Sequence, residues 1–445
     1  MQTHIVLLGG GYVSVWAYRS LFSRLRGAIN RGQVLITVVC PEEHHVFHGW
    51  TAEALTGLIA FENRLSPLRK IMPKARHING VALAVNAQQQ QVQVQEANGK
   101  TTLLEYDHLL MGIGSFDNCA VDGVQQFGHR VKGLQDLRHA MNTLHNLVEQ
   151  AARQPHLAPQ LLRFAVAGAG FTGVEMAANL AEYLQVLIRE HISLLGTKPT
   201  ISLIYSTKHI LPELEGSFQR MHKYARKQLV RYGIELVSEA RLAKVDQQGA
   251  WLVNGAFIPA SMVFSTIGQA RLVLPGTEPW LRDAAGRVKL NTWLQVPHNP
   301  RIWGGGDACH VRHCISKQPC PSNALWAIKH GHYAGINIAR TVLGKVPRPF
   351  TYRGLGQAAS LGLGKGITEL YGLQFTGLIA WIMRWFFFNY FMPSKTTMWY
   401  SIGNWCRAWF TGKRLPLSKA SRPAQAAPAA NSHAGSALPT PAYAG

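Results

Sequence analysis

The chain has 445 residues, a length that suggests two or three domains and allows a sizeable buried core. Hydrophobic residues make up 47% of it, which is ordinary for a globular protein and excludes wholesale disorder. Lys and Arg number 45 against 23 Asp and Glu, and this surplus favours a polyanionic partner, either nucleic acid or an anionic membrane face. Six cysteines with no signal peptide before the first strand are typical of a reducing, cytoplasmic setting, so we expect free thiols.

The chain opens with the pattern of a βαβ unit. An apolar strand is predicted at 4–8, and after it the glycine turn GGG leads into a predicted helix at 13–26. Gly9 and Gly11 take the first two positions of a G-x-G-x-x-G pattern, and Ser14 takes the third. Glycines at such a turn let the backbone approach a pyrophosphate, which the helix N-terminus then binds. A tight structural turn would explain this incomplete pattern about as well.

A second glycine turn lies within FAVAGAGFTGVEMAANL, residues 164–180. Gly168, Gly170 and Gly173 complete the G-x-G-x-x-G spacing between a predicted strand and a predicted helix, so a second dinucleotide site is expected here. Glu175 follows in the first turn of that helix, where a carboxylate is also favourable for the helix dipole alone.

The predicted elements indicate how the two units are arranged. The apolar segment RIWGGGDA at 301–308 resumes the first unit after the second has ended. We therefore expect an α/β protein with two Rossmann-like dinucleotide-binding domains, the second inserted in the first, plus a C-terminal membrane-associated helical region. The expected boundaries are 1–120 and 291–345 for the first domain, 121–290 for the second with its core at 163–270, 346–415 for the membrane-anchoring region and 416–445 for a disordered tail rich in Pro, Ala, Ser and Gly.

The C-terminal region combines aromatic residues with basic ones. Residues 375–392 are almost wholly apolar and would span about 27 Å as a helix, which is close to the thickness of a bilayer core. Arg384 near the middle is costly for a true span, so we favour an anchor that lies in one leaflet. A buried helix or a dimer seam remains the alternative. A nucleic-acid partner is not expected, because the basic residues stand beside unbroken Phe-Phe-Phe.

Several longer stretches resemble one family. They are HHVFHGWTAEALTG at 44–57, SPLRKIMP at 66–73, YDHLLMGIGS at 106–115, DGVQQFGHRVKGLQDLRH at 122–139 and PFTYRGLGQAASLGLGKGI at 349–367. With the order of segments, they make the chain similar to the type II NADH dehydrogenases, a family of flavin-dependent pyridine nucleotide oxidoreductases. The similarity runs over most of residues 1–410.

The resemblance implies a cofactor set, an activity and a location. It implies FAD in the first domain, NADH or NADPH in the second, and a membrane quinone as acceptor, with the enzyme bound peripherally at the cytoplasmic face of the inner (plasma) membrane as a homodimer. The implied cofactor-binding residues are Gly9, Gly11, Ser14, Cys40, Gly114, Gly168, Gly170, Gly173, Tyr205, Gly268, Gly306 and Asp307. Glu175 and Lys329 are the implied catalytic residues, and no metal is expected.

The sequence departs from the family at three places. Cys40 and Tyr205 stand where an acidic residue usually binds an adenosine ribose, which leaves NADH and NADPH both open. The two glutamines of the quinone site are replaced by Leu325 and Lys329. Lys329 would then offer a charge near the flavin, or it is an ordinary lysine on the helix surface.

The cysteines bear on other possible acceptors. No cysteine lies between residues 41 and 118, which excludes the cysteine relay of the glutathione reductase type. Cys309, Cys314 and Cys320 are the thiols that a sulfide:quinone reductase would need, or that a metal site could use. A flavin-bound membrane redox sensor without turnover is a further alternative.

Overall fold

A computed structural model describes residues 2–417 of the chain. Its first part begins with a βαβ unit and continues with short strands and helices. These elements are β1 (Thr3–Leu8), α1 (Tyr12–Asn30), β2 (Val34–Cys40), β3 (His44–Val46), α2 (Thr51–Leu55), β4 (Leu65–Pro67), α3 (Leu68–Ile71), β5 (Arg76–Asn86), β6 (Gln91–Glu96), β7 (Thr101–Glu105), β8 (His108–Met111) and β9 (Phe116–Asp117).

The middle part holds the second βαβ unit. Its elements are α4 (Val124–Phe127), β10 (Gly128–His129), α5 (Leu134–Arg153), α6 (Ala158–Leu161), β11 (Arg163–Ala167), α7 (Phe171–Glu190), β12 (Thr200–Ile204), α8 (Gln219–Arg231), β13 (Glu235–Val237), β14 (Leu242–Asp246), β15 (Gly249–Leu252), β16 (Phe257–Pro259), β17 (Met262–Ser265), β18 (Gln269–Ala270) and β19 (Val288–Lys289).

The last part returns to the first sheet and ends in two helices. Its elements are β20 (Gln295–Val296), β21 (Asn299–Gly304), β22 (Cys309–His310), α9 (Ala324–Val342), β23 (Gly356–Ser360), β24 (Gly366–Leu370), β25 (Leu373–Thr376), α10 (Leu378–Tyr390) and α11 (Lys395–Thr411).

Two sheets carry the glycine turns. The larger has eight strands in the order β20-β21-β8-β1-β2-β5-β6-β7, and β21, β8, β1, β2 and β5 run parallel. The second has five parallel strands in the order β10-β17-β11-β12-β13, all of which lie between β8 and β20 in the chain. Because β1, β2 and β11 are buried along most of their length, they read as continuous apolar runs and not as alternating ones.

Helices α1 and α9 pack closely against each other in the first domain. A Cβ at Gly331 of α9 would overlap the carbonyl oxygen of Val13, and a Cβ at Gly335 would overlap that of Ala17. Glycine at both positions therefore lets the two backbones touch. This contact holds the N-terminus of α9 beside the β1–α1 turn.

The helix considered over the apolar residues 375–392 is shorter in the structure, where α10 covers Leu378–Tyr390. The chain forms two helices, α10 and α11, with a short connection at 391–394. None of the helices within residues 2–417 is long and apolar enough to cross a membrane. Most of the predicted disordered tail lies outside the described residues; of the part that is described, Leu417 is buried in the core of the second domain.

The α1–α9 contact generates a stability prediction. We expect Gly331→Ala to lower the free energy of unfolding by about 1–3 kcal/mol, because the added methyl group must push the two helices apart. Gly403→Ala in α11 is the matched control, since a Cβ there meets nothing within 4 Å. It should be neutral or stabilise by up to about 1 kcal/mol, because alanine favours a helix. Urea unfolding of both variants checks this, and equal losses would contradict the proposed close contact.

Candidate functional site

One large cavity of about 1150 Å³ is lined by residues of both glycine turns and of the C-terminal region. The predicted site residues that line it are Gly9, Gly11, Cys40, Gly114, Gly170, Gly173, Glu175, Gly268, Gly306 and Asp307. Ser14, Gly168, Tyr205 and Lys329 are not among its lining residues. The structure thus brings together residues that are up to three hundred positions apart in the chain.

The two glycine turns have the same backbone conformation. Gly9 and Gly168 follow β1 and β11 with φ of +92° and +104°, in the left-handed region that favours glycine. Gly11 and Gly170 then cap α1 and α7 with φ of −79° and −71°. Each turn therefore presents the first turn of a helix to the cavity, where free amide groups can bind an anion.

Ser14 stands at the third position of the first glycine turn, and it fits there because Gly112 on another segment has no side chain. It is fully buried, and its hydroxyl lies 3.4 Å from the carbonyl oxygen of Leu8. A Cβ at Gly112 would come within 2.6 Å of the Ser14 Oγ, so Gly112 leaves room for this side chain. Ser14 packs against Gly112 and is not among the residues that line the cavity, so a role in cofactor binding stays a prediction.

In the second glycine turn, Gly168 and Gly173 leave the space that close packing needs. A Cβ at Gly173 would overlap the carbonyl oxygen of Gly168, and one at Gly168 would lie 2.6 Å from the Thr266 Oγ1. These two glycines allow α7 to begin directly against the turn. Gly170, which lines the cavity, remains available to a ligand.

Three glycines of the cavity wall test whether a dinucleotide fits. An ideal Cβ would have no neighbour closer than 3.9 Å at Gly11 or at Gly268, and none within 4 Å at Gly114. Their missing side chains therefore leave bare backbone facing open space. Gly11 caps α1, whereas Gly114 and Gly268 lie in the segments after β8 and β17, and bare backbone lets a dinucleotide approach each of them closely. These residues therefore fit FAD and a second dinucleotide.

Asp307 lies in the short turn that follows β21, in a charged group of which the sequence predicted only Asp307 itself. Its Oδ2 accepts hydrogen bonds from the Ser115 hydroxyl at 2.8 Å and from the Lys132 ammonium at 3.0 Å. Burial acts to raise the pKa of Asp307, but Lys132 and Ser115 outweigh it, and the pKa lies below its usual range. The carboxylate is therefore ionised and held in place at the cavity wall. Lys132 belongs to a stretch that resembles the family, yet no spacing marks it as a partner of Asp307.

His48, in the stretch at 44–57 that resembles the family, also faces the cavity. Burial lowers its pKa to about 3, so the imidazole is neutral. The neighbouring His45 has its Nδ1 3.0 Å from the carbonyl oxygen of Gly10 and so braces the first glycine turn. Within residues 2–417, no group of three or more His, Cys, Asp or Glu side chains is arranged to hold a metal ion.

Glu175 forms part of a buried ion cluster with Arg384 and Glu53. One guanidinium nitrogen of Arg384 lies 2.8 Å from Glu175 Oε1, and the other lies 2.7 Å from Glu53 Oε1. The side chains of Arg384 and Glu53 are 1% and 0% exposed, whereas that of Glu175 is 18% exposed and lines the cavity. Arg384 lies within an apolar segment of the sequence, and its side chain points into the protein.

The surroundings of the cluster set the charge of Glu175. Burial raises its pKa well above the usual range of a glutamate, and Glu53 adds to this effect. Arg384 opposes the shift, as does the Ser360 amide, which donates a hydrogen bond to Oε1 at 2.8 Å. The guanidinium lies over the ring of Phe388 at 4.3 Å, which keeps it in one orientation.

Like Ser14 and Gly168, the predicted residues Lys329 and Tyr205 do not line the cavity. The ammonium of Lys329 lies over the ring of Tyr352 at 5.1 Å, and Leu325, one turn earlier on α9, lines the cavity instead. This favours the interpretation of Lys329 as a helix-surface lysine. Tyr205 is 8% exposed, its hydroxyl bonds Ser238, and burial raises its pKa.

The cysteine cluster also lies away from this site. Cys309, Cys314 and Cys320 do not line the cavity, and all three are free thiols. Burial raises the pKa of Cys309 and of Cys320 to about 12, which leaves both protonated and poorly reactive. The cluster therefore gives no support to a sulfide:quinone reductase.

Comparisons with solved structures agree with this architecture. NDH2 from Plasmodium falciparum in complex with NADH superposes with a TM-score of 0.81 at 14% identity, over 93% of this chain and 99% of that one. The sulfide:quinone oxidoreductase from Aquifex aeolicus gives a TM-score of 0.68 at 16% identity, over 92% and 93%. At these identities the likeness shows the shared α/β fold.

Sequence comparisons identify the family. A type II NADH:quinone oxidoreductase of Mycobacterium tuberculosis is 26% identical over 410 residues, covering 85% of this chain and 82% of that protein. An internal alternative NAD(P)H-ubiquinone oxidoreductase of Arabidopsis thaliana is 24% identical over 418 residues, covering 86% and 79%. The model of the pyridine nucleotide-disulphide oxidoreductases matches residues 3–331. The chain therefore belongs to the pyridine nucleotide-disulphide oxidoreductase family, and its resemblance to the type II NADH dehydrogenases is confirmed.

Proposed function

We propose that this protein oxidises NADH or NADPH by hydride transfer to bound FAD and passes two electrons to a membrane quinone, without pumping protons. The observation that carries the proposal is the single cavity onto which both glycine turns and Glu175 open. Two dinucleotides bound to the two turns would meet within this one cavity. The names of the relatives supply the donor and the acceptor.

The first domain would hold FAD. Gly9 and Gly11 would bind its pyrophosphate at the N-terminus of α1, and the ionised Asp307, fixed by Lys132 and Ser115, would bind a hydroxyl group of the cofactor. When bound, FAD supplies the redox chemistry by accepting a hydride and delivering electrons to the acceptor. The protein contributes position, exclusion of water and fixed charge.

The second domain would hold the nicotinamide dinucleotide. Gly170 would bind its pyrophosphate at the N-terminus of α7, five residues before Glu175. The Glu175 carboxylate is fixed by Arg384 and by the Ser360 amide, so it can orient a nicotinamide amide group by accepting a hydrogen bond. Tyr205, directly after β12, stands where an acidic residue usually binds the ribose of NADH. Because this carboxylate is replaced, we propose that both NADH and NADPH are accepted.

The acceptor would enter from the C-terminal side of the cavity. This wall includes Leu325 and Leu355 together with Phe387 and Phe388 of α10 and Phe391 directly after it. Aromatic and aliphatic side chains suit a flat, apolar quinone ring. We propose that packing against this wall replaces the usual pair of glutamines.

Helices α10 and α11 would attach the protein to the membrane. Ile379, Ile382, Phe386 and Tyr390 are exposed on α10 at helical spacing, and we call them the apolar stripe. An apolar helix face of this kind in a basic region is typical of a helix that lies in one leaflet. We propose peripheral binding at the cytoplasmic face of the inner (plasma) membrane, with the protein as a homodimer.

The first test is spectroscopic. We expect the purified protein to contain FAD and NADH to bleach its visible absorbance anaerobically, with NADPH doing so as well. Adding a soluble quinone analogue should restore the absorbance and sustain nicotinamide oxidation. Bleaching by sulfide but by neither nicotinamide would contradict the proposal, and reduction without turnover would identify a redox sensor.

The ion cluster predicts a pH-dependent loss of stability. Arg384→Gln should lower the free energy of unfolding by about 3–5 kcal/mol, because two carboxylates stay buried without their cation. A carboxyl group whose pKa is higher in the folded protein than in the unfolded chain opposes folding as it ionises, so the loss should be larger at about pH 8 than at about pH 6. Urea unfolding at both values measures it.

The exposed Lys413 provides the control for this variant, because it carries the same charge without burial. Lys413→Gln should change the free energy of unfolding by no more than about 0.5 kcal/mol at either pH. An Arg384→Gln variant with the same loss at both values would contradict the interpretation of Glu175.

A further inference from the structure

A row of cations follows one side of α8, in the second domain. Arg220, Lys223, Lys227 and Arg231 are exposed and recur three, four and four residues apart, so they lie along one face of the helix. We call them the basic stripe. The opposite face, with Met221, Ala225, Gln228 and Leu229, is buried.

None of these four cations forms an ion pair within residues 2–417 of the structure, and α8 itself contains no acidic residue. Their charges therefore add along the helix without internal compensation. Binding of an external anion would relieve the repulsion among these four cations and is therefore favourable.

The basic stripe lies next to the C-terminal region. The Gln374 side-chain oxygen of β25 accepts hydrogen bonds from the Arg220 amide at 3.1 Å and the Met221 amide at 3.4 Å. At the start of α10, a Cβ at Gly377 would lie 3.6 Å from the Tyr224 hydroxyl. Tyr224 projects from the same side of α8 as the stripe, since it is one turn from Arg220 and from Lys227.

Exposed apolar residues continue from this contact toward α10. Tyr371 and Leu373 on the β24–β25 turn are 74% and 64% exposed, and Leu378 and Ile379 follow at the start of the helix. The four cations and a set of exposed apolar side chains therefore lie on one surface, with only the short β24–β25 hairpin between them. Basic residues beside exposed apolar and aromatic ones match the two layers of a membrane surface, headgroups and acyl chains.

We propose that the basic stripe of α8 binds anionic phospholipid headgroups while the apolar stripe of α10 enters the same leaflet. This inference rests on the membrane attachment proposed above and extends it from the C-terminal helices to the second domain. The nucleotide domain would then be fixed against the membrane surface together with the cavity's C-terminal wall. Electrostatic attraction to an anionic leaflet acts within about 10 Å, so only residues that reach the surface contribute.

Vesicle cosedimentation of the full protein tests the proposal. The vesicles contain phosphatidylcholine alone, or phosphatidylcholine with about one third phosphatidylglycerol to supply anionic charge. For the variant Lys223→Glu, Lys227→Glu, Arg231→Glu, we expect at least about tenfold weaker binding to the anionic vesicles and little change on neutral ones.

A second triple variant controls for total charge. Lys100→Glu, Arg241→Glu and Lys244→Glu reverse three exposed cations on the β6–β7 loop and at β14, and should leave binding within about twofold of the unchanged protein. Thermal unfolding and quinone-analogue reduction should match in all three proteins, which shows that the variants fold.

The outcomes separate this inference from the proposal that it extends. If the unchanged protein binds neither kind of vesicle, membrane attachment itself is wrong. If it binds anionic vesicles and both triple variants bind equally well, only the role of α8 is overturned. Loss of binding to duplex DNA or RNA in the α8 variant, with vesicle binding intact, would assign the stripe to nucleic acid and overturn the inference.

Discussion

A guanidinium removed from water needs negative charge around it, and the organisation of this protein depends on how Arg384 meets that need. Its partners are Glu53 on α2 and Glu175 on α7, and the ion pair with Glu53 joins residues 331 positions apart. An unpaired buried charge is strongly unfavourable, so α10 cannot leave its place without a large loss of stability. One interaction therefore ties the C-terminal helices to both parts of the α/β core.

The same cluster connects stability with chemistry. Glu175 faces the cavity while its carboxylate is shared with a cation from the segment proposed to face the membrane. Any movement of α10 would change the charge that a bound nicotinamide meets. Phe387 and Phe388 of the cavity wall belong to the same helix, and Phe391 follows it directly, so the proposed acceptor side and donor side have a common support.

The two glycine turns have the same backbone conformation, but different residues leave the space that each turn needs. Both present a helix N-terminus through a residue with positive φ, Gly9 or Gly168. In the second turn, Gly173 gives the clearance that lets α7 begin against the turn. In the first, Ser14 occupies that position, and the clearance comes from Gly112 on a neighbouring segment. An incomplete motif can thus keep its geometry when a distant residue leaves the space.

The sequence by itself determined the features that depend on near neighbours. Spacing of glycines, apolar runs and their order predicted two dinucleotide sites, and the strand predicted at 4–8 lies within β1 of the structure. A turn is set by a few consecutive residues, and for this reason its sequence is informative. The resemblance to the type II NADH dehydrogenases added the site residues, most of which line the cavity.

Only the tertiary structure decided which side chains meet. It paired Arg384 with two carboxylates, gave Asp307 its partner Lys132, and turned Lys329 toward Tyr352 and away from the cavity. Such contacts join parts of the chain that are far apart, and their strength depends on burial, which no local pattern encodes. Composition could likewise not divide the aromatic residues of α10 between core, cavity and surface, since that depends on what packs against each side of the helix.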